Sequence, residues 1–323
     1  MTKLRNYLKL VNHPAKIMPI INYTLLVIFG AVLFNSNSPL TTIFFNSNLY
    51  FISLSFDFNK HLIPLILVII SVDSAWYFAV GVNDYYDVEI DKVINPNRPL
   101  VKGDLTKGDV KKFTIFFGSI SVIIALICSL LYNFWIIIFT GIYLLSLGFL
   151  YSAPPVRIKM RTSLSTMFIG LTCSTTVLSG GVLILNNEEL IFSSSINNEL
   201  IFASITIGII AFLASIGKDF KDIPGDEAAG IPTLPIKYGA KNAAKILLIT
   251  GMACYSVFFL YPIFDNIYLL SYPSIIFAIT SWILVFIYYI KNPGKERAET
   301  LYKLGFMGFL VIIFSNIILK LIF

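Results

Sequence analysis

Charged residues are scarce in this chain of 323 amino acids, in which Asp, Glu, Lys and Arg together make up 13%. A typical soluble domain carries about 25%. Hydrophobic residues reach 57% and are gathered into apolar runs, most of them close to the roughly 20 residues that cross a bilayer as a helix. The composition excludes an ordinary soluble protein and predicts an all-α integral membrane protein.

Cysteine and histidine are also rare, with three Cys and two His in the chain. Each Cys lies inside an apolar run without a CxxC partner, which predicts small core residues rather than disulfides or metal ligands. The net charge of +6 would favour nucleic acid as a partner of a soluble domain. Here the Lys and Arg residues flank the apolar runs, so they indicate membrane topology and no nucleic-acid partner is expected.

The apolar runs predict a single domain, residues 1–323, with nine transmembrane helices. The runs lie at about 17–35, 61–82, 113–132, 134–151, 163–186, 199–218, 243–263, 267–290 and 302–323. A cytoplasmic N-terminus places every Lys and Arg except Lys60 and Lys320 on the cytoplasmic side, as the positive-inside rule requires. The C-terminus is then outside, and the substantial polar loops place the functional face on the cytoplasmic side.

Two acidic segments repeat the pattern Asp-aromatic-x-Asp-x-x-x-Asp. The first acidic motif follows the second apolar run and consists of Asp84, Asp87 and Asp91. The second acidic motif follows the sixth run and consists of Asp219, Asp222 and Asp226. On a helix, the carboxylates of the first motif fall within about 60° of one another, with Asn83 close by. One such cluster is common at a hydrated helix end. Its repetition four runs later favours a cation site and hints that residues 17–151 and 163–290 are related halves, with 302–323 appended.

The cation that suits these carboxylates best is Mg²⁺, which prefers oxygen ligands and commonly also binds the phosphates of a substrate. Two such clusters imply a diphosphate between them. Pro224 and Gly225 predict that the helix breaks inside the second motif and that Asp226 lies in the following loop.

Basic residues in proline-bounded turns follow the acidic helices. Arg98 lies in Asn-Pro-Asn-Arg-Pro, and Arg157 and Lys159 follow Tyr-Ser-Ala-Pro-Pro-Val. Arg offers planar bidentate donors to phosphate and Lys offers a mobile charge. Together with Lys218 and Lys221, these residues are candidate diphosphate ligands, although either turn taken alone is typical of a cytoplasmic loop.

These motifs, in this order and spacing, resemble the UbiA family of intramembrane prenyltransferases. The resemblance includes Gly230-Ile-x-Thr-Leu-Pro235 after the second acidic motif and covers nearly the whole chain. It implies nine transmembrane helices around a central cavity, with cytoplasmic cap loops that carry the motifs. It also implies Mg²⁺-dependent transfer of an isoprenoid chain from a polyprenyl diphosphate to a hydrophobic acceptor in the bilayer.

The resemblance and the charge pattern together give two sets of candidate site residues. Those expected to hold the metal and act in catalysis are Asn83, Asp87, Asp91, Asp219, Asp222 and Asp226. Those expected to bind substrate are Asp84, Tyr86, Arg98, Tyr151, Arg157, Lys159 and Lys218. The aromatic rings of Tyr85, Tyr86, Tyr151 and Phe220 are further candidates to stabilise a prenyl cation.

Three questions stay open at the level of sequence. The acceptor is a lipid-quinone precursor, a pigment precursor or the glycerol phosphate of an ether lipid. A cation channel or secondary transporter is the alternative function, but it would place its charges at mid-membrane, where only Asp73 lies. Asp73 itself either faces the cavity to contact an acceptor or is a buried, hydrogen-bonded carboxylate.

Overall fold

The computed structural model describes residues 7, 21, 23–31, 58–94, 96–184, 198–228, 230–263 and 266–322. Within these residues the regular secondary structure is helical. Most of the two longer outer loops expected from the sequence, 36–60 and 186–198, lies outside the described residues.

Helices overlap each of the apolar runs. The first of them, α1, covers residues 23–31. It is followed by α2 (Phe58–Tyr86), α3 (Val88–Ile94), α4 (Lys107–Leu131), α5 (Trp135–Tyr143), α6 (Thr162–Gly181), α7 (Asn198–Ala228), α8 (Leu234–Tyr238), α9 (Ala240–Ser256), α10 (Tyr272–Lys291) and α11 (Lys295–Ile322). Helix α5 continues as a π-helix, Leu144–Leu150.

Five helical segments within the described residues are long and apolar enough to cross a membrane. They are His61–Tyr86, Lys107–Leu131, Leu200–Ala228, Ala240–Ile263 and Tyr268–Lys291. Large apolar side chains such as Ile115, Leu130 and Ile249 are more than half exposed, as expected for a surface that contacts lipid. The prediction of an all-α, multi-pass membrane protein is therefore confirmed.

Helix α4 illustrates how local sequence sets an element. Thr106 caps its N-terminus, with the Asp109 amide donating to the Thr106 hydroxyl at 3.1 Å and the Thr106 amide donating to the Asp109 carboxylate at 3.0 Å. This reciprocal capping box satisfies two amide groups that a helix start otherwise leaves unpaired. Helix α4 packs along α2 and turns its opposite face outward.

Small residues allow other helices to approach closely. A Cβ atom at Gly30 would overlap the carbonyl oxygen of Val177 on α6, and one at Gly180 would overlap that of Val27 on α1. Apolar helices gain little from leaving lipid for one another, so close van der Waals contact at small residues is a main source of their association.

The prediction that Pro224 ends its helix is wrong, because α7 continues through Pro224 to Ala228 and carries Asp226 on its last turns. A proline forfeits its own amide hydrogen bond, but its φ angle suits a helix and the neighbouring bonds survive. Packing of α7 against α8 and α11 supports this end of the helix.

Candidate active site

The first acidic motif lies where α2 passes into α3. Asp87 interrupts the helix, yet its amide donates to the Asn83 carbonyl at 3.0 Å and its own carbonyl accepts from the Asp91 amide at 2.8 Å. The backbone therefore keeps helical spacing across the break. Asp84, Asp87 and Asp91 are all buried.

Arg98 bridges two of these carboxylates. Its Nη1 donates to Asp84 at 2.6 Å and to Asp91 at 2.7 Å. The proline-bounded turn thus brings Arg98 back onto the acidic helix end, as the sequence predicts. In this state its charge is directed at protein carboxylates, and such charge-assisted hydrogen bonds are the strong ones in proteins.

Asp87 is the most heavily engaged carboxylate of the first motif. It accepts from Arg157 Nη2 at 3.0 Å and from Asn83 Nδ2 at 2.8 Å, and it also pairs with the Lys159 ammonium. Burial lowers the pKa of the Lys159 ammonium, and the attraction of Asp87 opposes that shift. The second basic turn therefore closes over the first acidic motif.

Arg157 is held in an unusual conformation. Its φ of 42° and ψ of 58° are left-handed, which costs a residue with a Cβ atom roughly 1 kcal/mol or more. Its Nη2 also contacts the Tyr86 carbonyl at 3.4 Å, while its Nε is buried without a hydrogen-bond partner among the described residues. The Nε–H group of Arg157 is therefore a donor that a bound ligand could use.

Ser152 is a site residue to which the sequence analysis assigned no role. Its buried hydroxyl accepts from Asn83 Nδ2 at 3.1 Å and so links the first acidic motif to the end of the π-helix. Such π-helical turns are frequent at functional sites. The sequence feature that could have indicated this role is the position of Ser152 directly after Tyr151, in the turn that carries Arg157 and Lys159.

The second acidic motif has a different ionic environment. Lys218 and Lys221, on the same helix, approach Asp222 only to 3.7 Å and 3.4 Å. The Asp222 side chain is 37% exposed. Exposed pairs of this kind contribute little to stability, typically below about 1 kcal/mol.

Tyr151 joins the two motifs. Its phenol lies within electrostatic reach of Asp87 in the first motif and of Asp219, Asp226 and Lys218 on α7. The structure thus brings together the two acidic segments that the sequence separates by more than a hundred residues.

Phe220 packs mainly against α10. Its buried ring makes T-shaped contacts with Phe286 and Tyr289, with ring centroids 6.4 Å and 5.2 Å away. Consecutive helical residues point about 100° apart, so Asp219 and Phe220 face different neighbours. These contacts give the ring a structural role, and its action on a prenyl cation stays a prediction.

The intramembrane Asp73 is a hydrogen-bonded carboxylate. The Thr24 hydroxyl on α1 donates to its two oxygens at 3.3 Å and 3.5 Å. A carboxylate inside a membrane is expensive without such a partner. Of the two alternatives for Asp73, the contact with Thr24 favours the structural one.

The carboxylates of the site do not form a closed metal cage. Among the described residues, no three His, Cys, Asp or Glu side chains are grouped to hold a metal ion. Carboxylate oxygens nonetheless suit Mg²⁺, which often takes one or two protein carboxylates and completes its shell with waters and substrate phosphates. The donor set of the two acidic motifs fits a site shared with a phosphate ligand.

Comparison with known proteins decides the family. The model of the UbiA prenyltransferase family matches residues 40–311, which contain both acidic motifs and both basic turns. The chain belongs to the UbiA prenyltransferase family. The prediction of a prenyltransferase is confirmed, and no match supports the channel or transporter alternative.

Relatives within the UbiA family differ in the acceptors that their names imply. The chain is 29% identical over 245 residues to a digeranylgeranylglyceryl phosphate synthase of Thermococcus sibiricus, covering 74% of this chain and 78% of that protein. It is 30% identical over 191 residues to a probable homogentisate phytyltransferase of Oryza sativa subsp. japonica, covering 57% and 48%.

The fold is shared with solved structures of the family. A UbiA homologue from Archaeoglobus fulgidus, solved with GPP and Mg²⁺, superposes with a TM-score of 0.59 at 16% identity. The similarity covers 97% of this chain and 99% of that protein. At this identity the likeness establishes the fold.

Proposed function

We propose that this chain cleaves a polyprenyl diphosphate and transfers the isoprenoid chain to a hydrophobic acceptor in the membrane, with Mg²⁺ held at the two acidic motifs. The proposal is supported by the position of Tyr151, whose phenol is within electrostatic range of carboxylates of both motifs, and by the cations that two separate turns place on the first motif. The A. fulgidus homologue bound to GPP and Mg²⁺ supports the same pair of ligands.

Asp87 and Asp91 on one side, and Asp219, Asp222 and Asp226 on the other, would hold the metal, with Asn83 in support. When bound, Mg²⁺ supplies positive charge that stabilises the negative diphosphate leaving group. Arg98, Arg157 and Lys159 now neutralise carboxylates. With a cation on those carboxylates, the same side chains are available to the diphosphate oxygens.

The chemistry asked of these residues is electrostatic. As the allylic carbon–oxygen bond breaks, its electron pair leaves with the diphosphate, and preorganised Arg and Lys donors stabilise that charge. The unpaired Nε of Arg157 is one such donor. Tyr151 offers an aromatic face to the positive prenyl carbon. The acceptor then bonds to that carbon and loses a proton.

The topology proposed with this function has nine transmembrane helices around a central cavity, cytoplasmic cap loops and an N-terminus in the cytoplasm. The C-terminus is outside and the active site faces the cytoplasm. Support comes from the Lys and Arg residues, which except for Lys60 and Lys320 fall on the side of the acidic motifs.

For the acceptor, the glycerol phosphate of an ether lipid is the first candidate, because the T. sibiricus relative is named for that product class and is matched over most of its length. An aromatic acceptor is the second, favoured by the O. sativa relative.

The test is to incubate purified protein and Mg²⁺ with geranylgeranyl diphosphate and either geranylgeranylglyceryl phosphate, homogentisate, 4-hydroxybenzoate or a naphthoate. Mass spectrometry reads the products, and an Asp222→Asn variant is the control. A prenylated product from one acceptor, absent in the control, is expected. Intact diphosphate with every acceptor would contradict the proposed function.

A further inference from the structure

An apolar groove runs along the outer surface between α2 and α4, away from the acidic motifs. It is a shallow, largely open depression of about 410 Å³, lined by Phe78, Ile115, Gly118, Ser119, Val122 and Ile123. Ile115, Val122 and Ile123 are exposed, so the groove opens to the surroundings of the helix bundle.

The missing side chain of Gly118 lets the Phe78 ring form the floor of the groove. A Cβ atom at Gly118 would lie 2.7 Å from that ring. The exposed side chains of Ile115, Val122 and Ile123 on α4 line the groove beside it. The result is a shallow apolar groove along α4.

Two lysines lie on either side of the groove at the end nearer the N-terminus of α4. On the helical wheel of α4, Lys111 and Lys112 lie about 50° to either side of the centre of the groove face. Both are exposed, and Gly108, one turn before them on the same face of α4, adds no side chain between them. Two positive charges therefore stand where an apolar channel meets the membrane surface.

Nearby carboxylates leave these charges largely uncompensated. Asp109 is buried about 110° around α4 from the centre of the groove face, where it completes the capping box with Thr106. Lys107 instead lies over the Tyr85 ring, 5.7 Å from its centroid. Within the described residues, neither Lys111 nor Lys112 makes an ion pair.

The dimensions match one leaflet of a bilayer. From Lys111 to Ile123 the helix rises about 18 Å, close to half of the roughly 30 Å hydrocarbon core. A ligand that fits must carry an anionic head at the membrane surface and an apolar chain of leaflet length.

We propose that this groove binds one anionic phospholipid of the surrounding bilayer. Its phosphate lies between Lys111 and Lys112, and one acyl chain lies along Gly118 and Phe78. Charge complementarity selects the anionic headgroup, and the groove distinguishes this lipid from those that merely surround the protein. The site is separate from the proposed diphosphate site and does not depend on its function.

The experiment is a native mass spectrometry titration of the full-length, delipidated protein with phosphatidylglycerol or phosphatidylcholine. One tightly held phosphatidylglycerol is expected. Lys111→Gln combined with Lys112→Gln should weaken it about 25-fold, at about fivefold for each lysine. Ser119→Phe, which fills the groove from its exposed rim, should abolish the tight site.

Matched controls keep the result specific. Lys241→Gln with Lys245→Gln removes two exposed lysines from the first turns of α9, and Ile127→Phe enlarges an exposed residue of α4 below the groove. Both should leave binding unchanged.

Three results would overturn the proposal. The first is unchanged phosphatidylglycerol binding in the groove variants, and the second is an equal loss of binding in the α9 control. The third is a loss of binding in the lysine variant but not in Ser119→Phe, which would mean that surface charge alone attracts the lipid. A fourth contrary result is that Ser119→Phe weakens geranylgeranyl diphosphate and leaves phosphatidylglycerol unaffected, since the groove would then be an entry path for the donor.

Discussion

The two acidic motifs share one spacing and differ in what neutralises them. In the first, buried carboxylates receive Arg98 and Arg157 at 2.6–3.0 Å, from two turns outside the motif. In the second, the contacts of 3.4 Å and 3.7 Å to lysines of the same helix all fall on the partly exposed Asp222. The same sequence pattern therefore occurs in two different ionic environments. Buried ion pairs neutralise the first motif, whereas the second has only longer contacts to lysines of its own helix.

The difference suggests a division of labour. The first motif already pairs with Arg98 and Arg157, the side chains proposed to bind the diphosphate, before the substrate is present. At the second motif the lysine contacts are longer and Asp222 is partly exposed, so we propose that this motif is the first contact for Mg²⁺.

The largest expected effect is a loss of transfer rate, and it should be similar for substitutions in the two motifs. Asp87→Asn and Asp222→Asn should each lower the rate of transfer by at least about 100-fold, because each removes a carboxylate proposed to hold the Mg²⁺ that stabilises the leaving diphosphate. Release of diphosphate from geranylgeranyl diphosphate measures the rate. Exposed Asp104→Asn is the control. Near-normal turnover in either site variant would separate that motif from the reaction.

Stability should distinguish the same two variants. Asp87→Asn leaves Lys159, whose side chain is 9% exposed, without its anion, and breaking a buried pair costs about 3–5 kcal/mol. Asp222→Asn should change the free energy of unfolding by less than about 1 kcal/mol. Thermal unfolding in detergent compares them. Equal shifts would show that the two ionic environments are equivalent.

Donor affinity is expected to change next. Arg157→Ala removes charge-assisted hydrogen bonds worth roughly 1.5–3 kcal/mol, so the Kd for a prenyl diphosphate should rise about tenfold or more. Arg161→Ala, an exposed neighbour, is the matched control. Binding is measured by titration calorimetry with Mg²⁺ present. An unchanged Kd would reduce the second basic turn to a topology signal.

The smallest effect concerns Pro224. Because α7 is already continuous there, Pro224→Ala restores one backbone donor without moving Asp226 far, and activity should stay within about threefold of the wild type. Steady-state kinetics checks this. A loss as large as that of Asp222→Asn would mean that the proline positions the end of the second motif.

The sequence was most informative where physics is local. Runs of apolar residues predicted where helices lie, and helical periodicity placed Asp84, Asp87 and Asp91 on one face. The proline-bounded turns also predicted cations beside the acidic helix ends. The relation between the two halves of the chain stays a prediction.

The rest depends on tertiary contacts that spacing does not encode. Nothing in the sequence says that Arg98 bridges Asp84 and Asp91, because that pairing follows from the path of a turn. The packing of Phe220 could not be predicted either, because its partners lie on α10. Pro224 was misjudged because the general rule for proline does not count the helices packed around it.

The central claim is that both acidic motifs hold the metal and the diphosphate together. Its most direct test is anomalous diffraction from crystals grown with Mn²⁺ and a non-reactive prenyl diphosphate analogue. Manganese is expected about 2.1–2.2 Å from carboxylates of both motifs and from diphosphate oxygens, a hard-ion geometry close to that of Mg²⁺. Manganese bound away from Asp87, Asp91, Asp219, Asp222 and Asp226 would contradict the claim.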